Sequence, residues 1–190
     1  MSKRLPAFLK SLEVVALLTA AQTAVAQAQT PSKRFAASRD LSMIVTMLVT
    51  GLRIAEACAL EIGELDLAEG MLKVSHGKGD KQRMVPIPER IMQDLRAWIG
   101  ARNGFVWPTC GRRWMNPRTF QRRLAKLAKA AGLGSECHPH TLRHCYATSL
   151  LRAGCDIKEL QVLLGHANIA TTAKYLHAEV SRLKSVVNKL

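Results

Sequence analysis

The chain has 190 residues, 48% of them apolar and 22% charged, the balance of one globular domain, or of one with a small appendage. That balance excludes wholesale disorder and a collagen-like or low-complexity chain. Lys and Arg number 28 against 14 Asp and Glu, a formal net charge of +14, which points to a polyanionic partner, nucleic acid before acidic membrane. Five cysteines, odd in number, irregularly spaced and without a CxxC pair, fit reduced thiols in the cytoplasm better than a disulfide framework. No uninterrupted apolar run is long enough for a transmembrane helix.

Residues 8–28 form the first predicted helix. Lys3 and Arg4 followed by the apolar stretch Val14 to Ala26 imitate a signal peptide, but Val14, Leu17, Leu18 and Ala21 recur at helical spacing and favour a core helix. The segment Thr30 to Lys33 reads as a break, and Ala37 to Thr50 as a second helix ended by Gly51. A short helix over 54–60 follows. Two alternating runs, Leu72 to Ser75 and Arg83 to Ile87, flank the polar turn Gly77 to Asp80 and predict a strand–turn–strand unit. Pro88 opens a helix to Trp98, and Gly104 to Pro108 is a short strand or loop. Asn116 and Pro117 have the N-cap and first-position pattern of a helix that runs to about Ala131. Further helices are predicted from Pro139 to Ala153, from Asp156 to Leu164, from Asn168 to Leu176 and from Val180 to Leu190. The fold class is mostly α with a small antiparallel β-sheet (α+β).

The charge is patterned. Arg112, Arg113, Arg118, Arg122, Arg123, Lys126 and Lys129 fall between 111 and 135 with no acid among them, whereas Glu56, Glu61, Glu64, Asp66 and Glu69 crowd into 56–69. A basic helix of this kind suits phosphate contacts along a duplex, the alternative being a solvated face with no partner. The first six of these basic residues are the candidate DNA contacts.

Several chemically capable side chains sit beside helix breaks. Arg53 stands at a helix start with Glu56 one turn on, and Lys78 on the tip of a hairpin. His140 and Arg143 share a helix at i, i+3, His166 follows a helix end, and Tyr175 comes nine residues later. Guanidinium forks match phosphate oxygens, imidazoles move protons near neutral pH, and a tyrosine can form a covalent intermediate. Together they are an inventory for phosphoryl transfer without a metal.

Each piece alone is common, but the order and spacing are specific. The segments TGLRIAEACAL (50–60), HGKGDKQRMVPIP (76–88) and HPHTLRHCYATSLLRAGCDIKELQVLLGHANIATTAKYLH (138–177) resemble those of the tyrosine recombinases (phage integrase family), in particular the Xer-like bacterial members. Leu5 to Leu9, with Glu13 and Leu17-Leu18, also looks like the usual opening of that family's catalytic domain, which argues further against a signal peptide. The resemblance implies a catalytic domain over 1–190 that lacks the N-terminal helical clamp of ordinary members, in a chain that is either a fragment or naturally short. It implies that Tyr175 attacks a scissile DNA phosphate and leaves a 3′-phosphotyrosine and a free 5′-hydroxyl. By the same resemblance Arg53 and Arg143 hold the non-bridging oxygens, Lys78 is the general acid for the leaving oxygen, His140 handles the tyrosine proton, His166 hydrogen-bonds the phosphate and Glu56 supports the site. No cofactor and no metal is expected. The implied partners are double-stranded DNA and, on it, further copies of the chain in a tetramer. The C-terminal helix 180–190 either packs on its own domain or is exchanged between neighbours. The implied function is DNA recombination or integration, in the cytoplasm, on a mobile element or a chromosome. The alternatives are a type IB topoisomerase-like nicking–closing activity and a non-catalytic DNA-binding module.

Other residues receive plainer readings. Tyr146 is a core residue and His144 a buried, hydrogen-bonded structural one. Cys137, His140 and His144 would share a helical face but lack the usual spacing of a zinc site. Trp98, Trp107 and Trp114 are core or loop anchors rather than base-stacking platforms.

Overall fold

The computed structural model describes residues 8–75, 82–109, 113–134, 136–165 and 184–190. Helix α1 (Ser11–Ala26) buries Leu17 and Ala21 and packs along α2 (Pro31–Thr50). The stretch with the cadence of a signal peptide is thus a core helix. Helix α2 begins at Pro31 rather than near Ala37. Thr30 is its N-cap, its hydroxyl accepting the Lys33 N–H at 3.2 Å, and Pro31 takes the first position, where no intrahelical N–H is needed. Gly51 closes α2 in the left-handed conformation, φ +62°.

After α3 (Ile54–Ala59) and a single 3₁₀ turn at 62–64, three short antiparallel strands form one sheet in the order β1 (Leu65–Asp66), β2 (Met71–Val74), β3 (Arg83–Pro86). Leu72 pairs with both Leu65 and Val85. β1 has no counterpart in the sequence reading, because two residues are too few to show alternation. The Gly77 to Asp80 turn lies outside the described residues. Helix α4 (Glu89–Ile99) buries Ile91, Leu95 and Ile99 at i, i+4, i+8. The segment 104–108 contributes one isolated bridge, Phe105 to Glu61, and buries Trp107, whose indole N–H donates to Ser42 Oγ at 3.1 Å.

Helices α5 (Pro117–Ala130), α6 (Pro139–Arg152) and α7 (Ile157–Leu164) complete the described helices, and their N-caps at Asn116 and Asp156 accept backbone N–H groups as the sequence pattern implies. α2 is the hub, with α1, α4, α5 and α6 all packed on it. A second, smaller core joins Tyr146 and Leu150 of α6 to Leu163 and Leu164 of α7 and to Val186 and Val187. The described part of the last predicted helix, a helical turn at 184–187, therefore packs on its own chain here. The predicted helix at 168–176 lies outside the described residues. Trp114 is exposed rather than an anchor, and no described helix is long and apolar enough to cross a membrane.

Candidate active site

The site forms where the ends of α2, α3, β3, α6 and α7 meet. Its centre is Glu56, a carboxylate in the first turn of α3 whose side chain is only 3% exposed. Its Oε2 accepts the backbone N–H of Arg53 at 2.7 Å, and its Oε1 accepts Arg53 Nη1 at 2.8 Å. The Arg83 fork binds the same carboxylate bidentately, Nη1 to Oε1 at 2.8 Å and Nη2 to Oε2 at 2.7 Å. Each carboxylate oxygen thus accepts two donors, which fills its capacity. Burial pushes the Glu56 carboxyl up, but the hydrogen bonds and charge of Arg83, helped by Arg53, outweigh it and hold the pKa at about 2.

The second focus is the C-terminus of α7, whose last carbonyls have no partner within the helix and carry its negative dipole end. Arg83 Nε donates to Leu163 O at 3.1 Å and Arg143 Nη2 to Leu164 O at 2.6 Å. Arg143 Nη1 reaches across to Gly51 O at 2.7 Å and so joins α6 to the α2–α3 junction. Arg143 is 7% exposed. Burial and the neighbouring Arg53 charge push its pKa down to about 10, which leaves it protonated near neutral pH.

Two glycines let these groups approach. A Cβ at Gly51 would lie 2.3 Å from Cδ1 of the buried Tyr146 ring, and one at Gly165, φ +68°, would lie 3.0 Å from Arg83 Cδ. Tyr146 is a core residue, as expected; its hydroxyl has no partner among the described residues.

The outcome for the predicted site residues is mixed. Arg53, Glu56 and Arg143 come together. Arg53 keeps a quarter of its side chain open to solvent. His140 lies in the first turn of α6, one turn before the buried Arg143, and is exposed. Lys78, His166 and Tyr175 lie outside the described residues. His144 is exposed rather than buried, because its position turns away from the side that carries Arg143 and Cys145 inward; partial burial and then the nearby His140 lower its pKa. No three His, Cys, Asp or Glu side chains converge as a metal site among the described residues.

On α5, Phe120, Leu124 and Ala128 face the core while Arg118, Arg122 and Lys126 form an exposed stripe at i, i+4, i+8. Arg113 is exposed just before the helix and Arg112 lies outside the described residues. Arg123 differs from its neighbours, since its Nε donates to Asp40 Oδ2. Asp40 is buried on α2, and its other oxygen accepts Arg39 Nη2 at 2.9 Å. The Arg39–Asp40–Arg123 network therefore pins the basic helix to the hub of the fold.

Arg83 is the residue that the sequence reading passed over. Its signal was present, since period two puts it on the face of Val85, which is fully buried. A charge on an inward strand face needs a partner, but its partners lie 27 and 80 residues away in the chain.

With this geometry in place, three guanidinium groups around one carboxylate leave positive charge in surplus at a point fixed by backbone carbonyls, as an oxyanion of phosphate type requires. Residues 7–182 match the model of the phage integrase family. The chain belongs to the phage integrase family. A tyrosine recombinase of Thermosipho africanus is 39% identical over 154 residues, 80% of this chain and 54% of that protein. The tyrosine recombinase XerC of Actinobacillus pleuropneumoniae is 35% identical over 97% of this chain and 59% of its own length. This member of the phage integrase family thus spans little more than half of those relatives. Among solved structures, the XerA recombinase matches with a TM-score of 0.69 at 31% identity, over 97% of this chain and 66% of that one. The XerH site-specific recombinase bound to its difH substrate, in a pre-cleavage complex, matches with a TM-score of 0.72 at 26% identity, over 96% of this chain and 54% of that one.

Proposed function

We propose that this chain is the catalytic domain of a site-specific DNA recombinase that breaks and rejoins strands through a phosphotyrosine at Tyr175, without metal or ATP. The observation that carries the reading is the pair of guanidinium groups, Arg53 and Arg143, fixed about the α2–α3 junction by Glu56 and by the Gly51 and Leu164 carbonyls. In this reading they hold the two non-bridging oxygens of the scissile phosphate and offset the charge that builds there in the transition state. The Tyr175 oxygen attacks phosphorus, the bond to the 5′-oxygen breaks, and Lys78 gives that oxygen its proton. An ordinary tyrosine ionises near about 10, so the phenol proton must leave as attack proceeds; His140 takes it. His166 donates a further hydrogen bond to the phosphate. The new phosphodiester to tyrosine keeps the ester energy, so attack by a 5′-hydroxyl of the same or another strand reseals the DNA and frees Tyr175.

The exposed Arg118, Arg122 and Lys126 stripe, with Arg112 and Arg113 before it, tracks the duplex backbone. The XerH neighbour, solved with its DNA substrate, supports double-stranded DNA as the partner. Assembly is as a tetramer on DNA, in the cytoplasm, and residues 1–190 act as one catalytic unit. The test uses duplexes selected from a random-sequence pool by retention on the protein, nicked at successive positions and end-labelled, incubated with EDTA present. A slow-migrating adduct on a denaturing gel that Tyr175→Phe abolishes supports the reading. Retention of duplexes without any adduct would replace it with a non-catalytic binding module, and relaxation of supercoiled DNA without strand exchange with a nicking–closing enzyme.

A further inference from the structure

We infer that Arg83 is a positioning residue for strand cleavage, acting through Arg53 and through the end of α7. The inference rests on the recombinase reading above and adds a residue to it.

Arg83 spends its whole fork on other members of the site. Nη1 and Nη2 take the two oxygens of Glu56, at 2.8 and 2.7 Å, and Nε takes the Leu163 carbonyl at 3.1 Å. Each of its three nitrogens is spent on a protein acceptor, and only 7% of its side chain is exposed. What it controls is the geometry of the groups assigned to the phosphate. Glu56 holds Arg53 twice, by main chain and by side chain, so the carboxylate's position sets where the Arg53 guanidinium can point. Without Arg83 the buried carboxylate would keep only Arg53, and its vacated lone pairs would draw that guanidinium inward, away from a phosphate. The Leu163 carbonyl would lose its donor at the same moment, which loosens the α7 terminus that Arg143 also grips through Leu164. Arg83 begins β3, the strand that follows the segment carrying Lys78. One side chain therefore ties the start of α3, the start of β3 and the end of α7 to a common frame. A lysine could reach Glu56 or Leu163 but cannot hold a planar bidentate contact and a third acceptor at once.

The experiment measures single-turnover adduct formation by the full chain on nicked duplexes selected as above, together with duplex affinity and thermal unfolding, for Arg83→Met, Arg83→Lys, Arg53→Ala and the double variant Arg83→Met with Arg53→Ala. Misplacing a reacting group by about 1 Å can cost on the order of 10²-fold in rate. Arg83→Met should therefore slow adduct formation roughly 100-fold and Arg83→Lys roughly 10-fold, with affinity within about twofold of the parent. Because part of the effect runs through Arg53 and part through the end of α7, adding Arg83→Met to Arg53→Ala should cost about 10-fold or less rather than roughly 100-fold, since residues that act as a unit are not additive. Should Arg83→Met fail to fold, Arg83→Lys carries the comparison. Cleavage by a folded Arg83 variant at the parent rate overturns the inference, as do penalties that multiply in full in the double variant. Absence of any Tyr175-dependent adduct from the unmodified chain is the distinct result that overturns the recombinase reading, and this inference with it.

Discussion

Gly51→Ala tests the joint between the fold and the site. Gly51 has φ +62°, a conformation that costs a residue with a side chain about 1–2 kcal/mol. The new methyl would also meet Cδ1 of Tyr146 at 2.3 Å and Cε1 at 2.8 Å. That ring is fully buried in the second core, and overpacking of this kind costs roughly 1–3 kcal/mol more. The sum is about 2–5 kcal/mol, read by urea unfolding followed through tryptophan fluorescence; at this chain length it lowers Tm by roughly 5–15 °C. In a Tyr146→Leu background, which vacates part of the ring's space, the same change should cost only the backbone part, about 1–2 kcal/mol. Because the Gly51 carbonyl accepts Arg143 Nη1, the shift should also slow DNA cleavage in whatever fraction remains folded. A Gly51→Ala loss below about 0.5 kcal/mol, or an equal loss in both backgrounds, would refute the packing argument.

Three other outcomes follow from named contacts. Asp40→Ala leaves Arg39, which is 4% exposed, with the Pro108 carbonyl but without its carboxylate, and should destabilise the chain by about 3–5 kcal/mol in urea unfolding, far more than Arg123→Ala, whose partner keeps Arg39. Glu56 ionises at about 2 in the folded chain against an ordinary 4.5, so the stability from its pairing is fully present above about pH 4.5 and is lost as pH falls toward 2. The loss is on the order of 3 kcal/mol, and Glu56→Gln should flatten that acid limb of a Tm-against-pH curve. Replacing Arg118, Arg122 and Lys126 together by Ala should weaken duplex retention and reduce the slope of log K against log salt by roughly 0.9 per lost phosphate contact, about 3 in all; an unchanged slope would place the duplex on another face.

Much of the fold was legible where one local rule decided the outcome. Asn116-Pro117 and Asp156 announced α5 and α7, and Pro88 announced the start of α4. The same N-cap logic applies at Thr30-Pro31, but there the polar cluster after Pro31 reads equally well as a loop, and α2 begins ahead of the predicted Ala37. At the site, Arg53 and Glu56 stood out beside Gly51 at the start of α3, and Arg143 one turn after His140 on α6. Arg83 and the Arg39–Asp40 pair did not, because what defines them is burial against distant partners, which no window of sequence contains. The exposure of His144 likewise depends on which side of α6 meets α2 and α7, a tertiary fact.

The most direct test of the central claim locates the covalent bond. Adduct formed on a selected, nicked duplex in EDTA would be digested with protease and nuclease, and the nucleotide-bearing peptide sequenced by mass spectrometry, while polynucleotide kinase probes the released end. The account predicts a 3′-phosphate ester on Tyr175 and a 5′-hydroxyl that accepts label without prior phosphatase. Attachment at any other side chain, or a 5′-phosphate on the released strand, would contradict it.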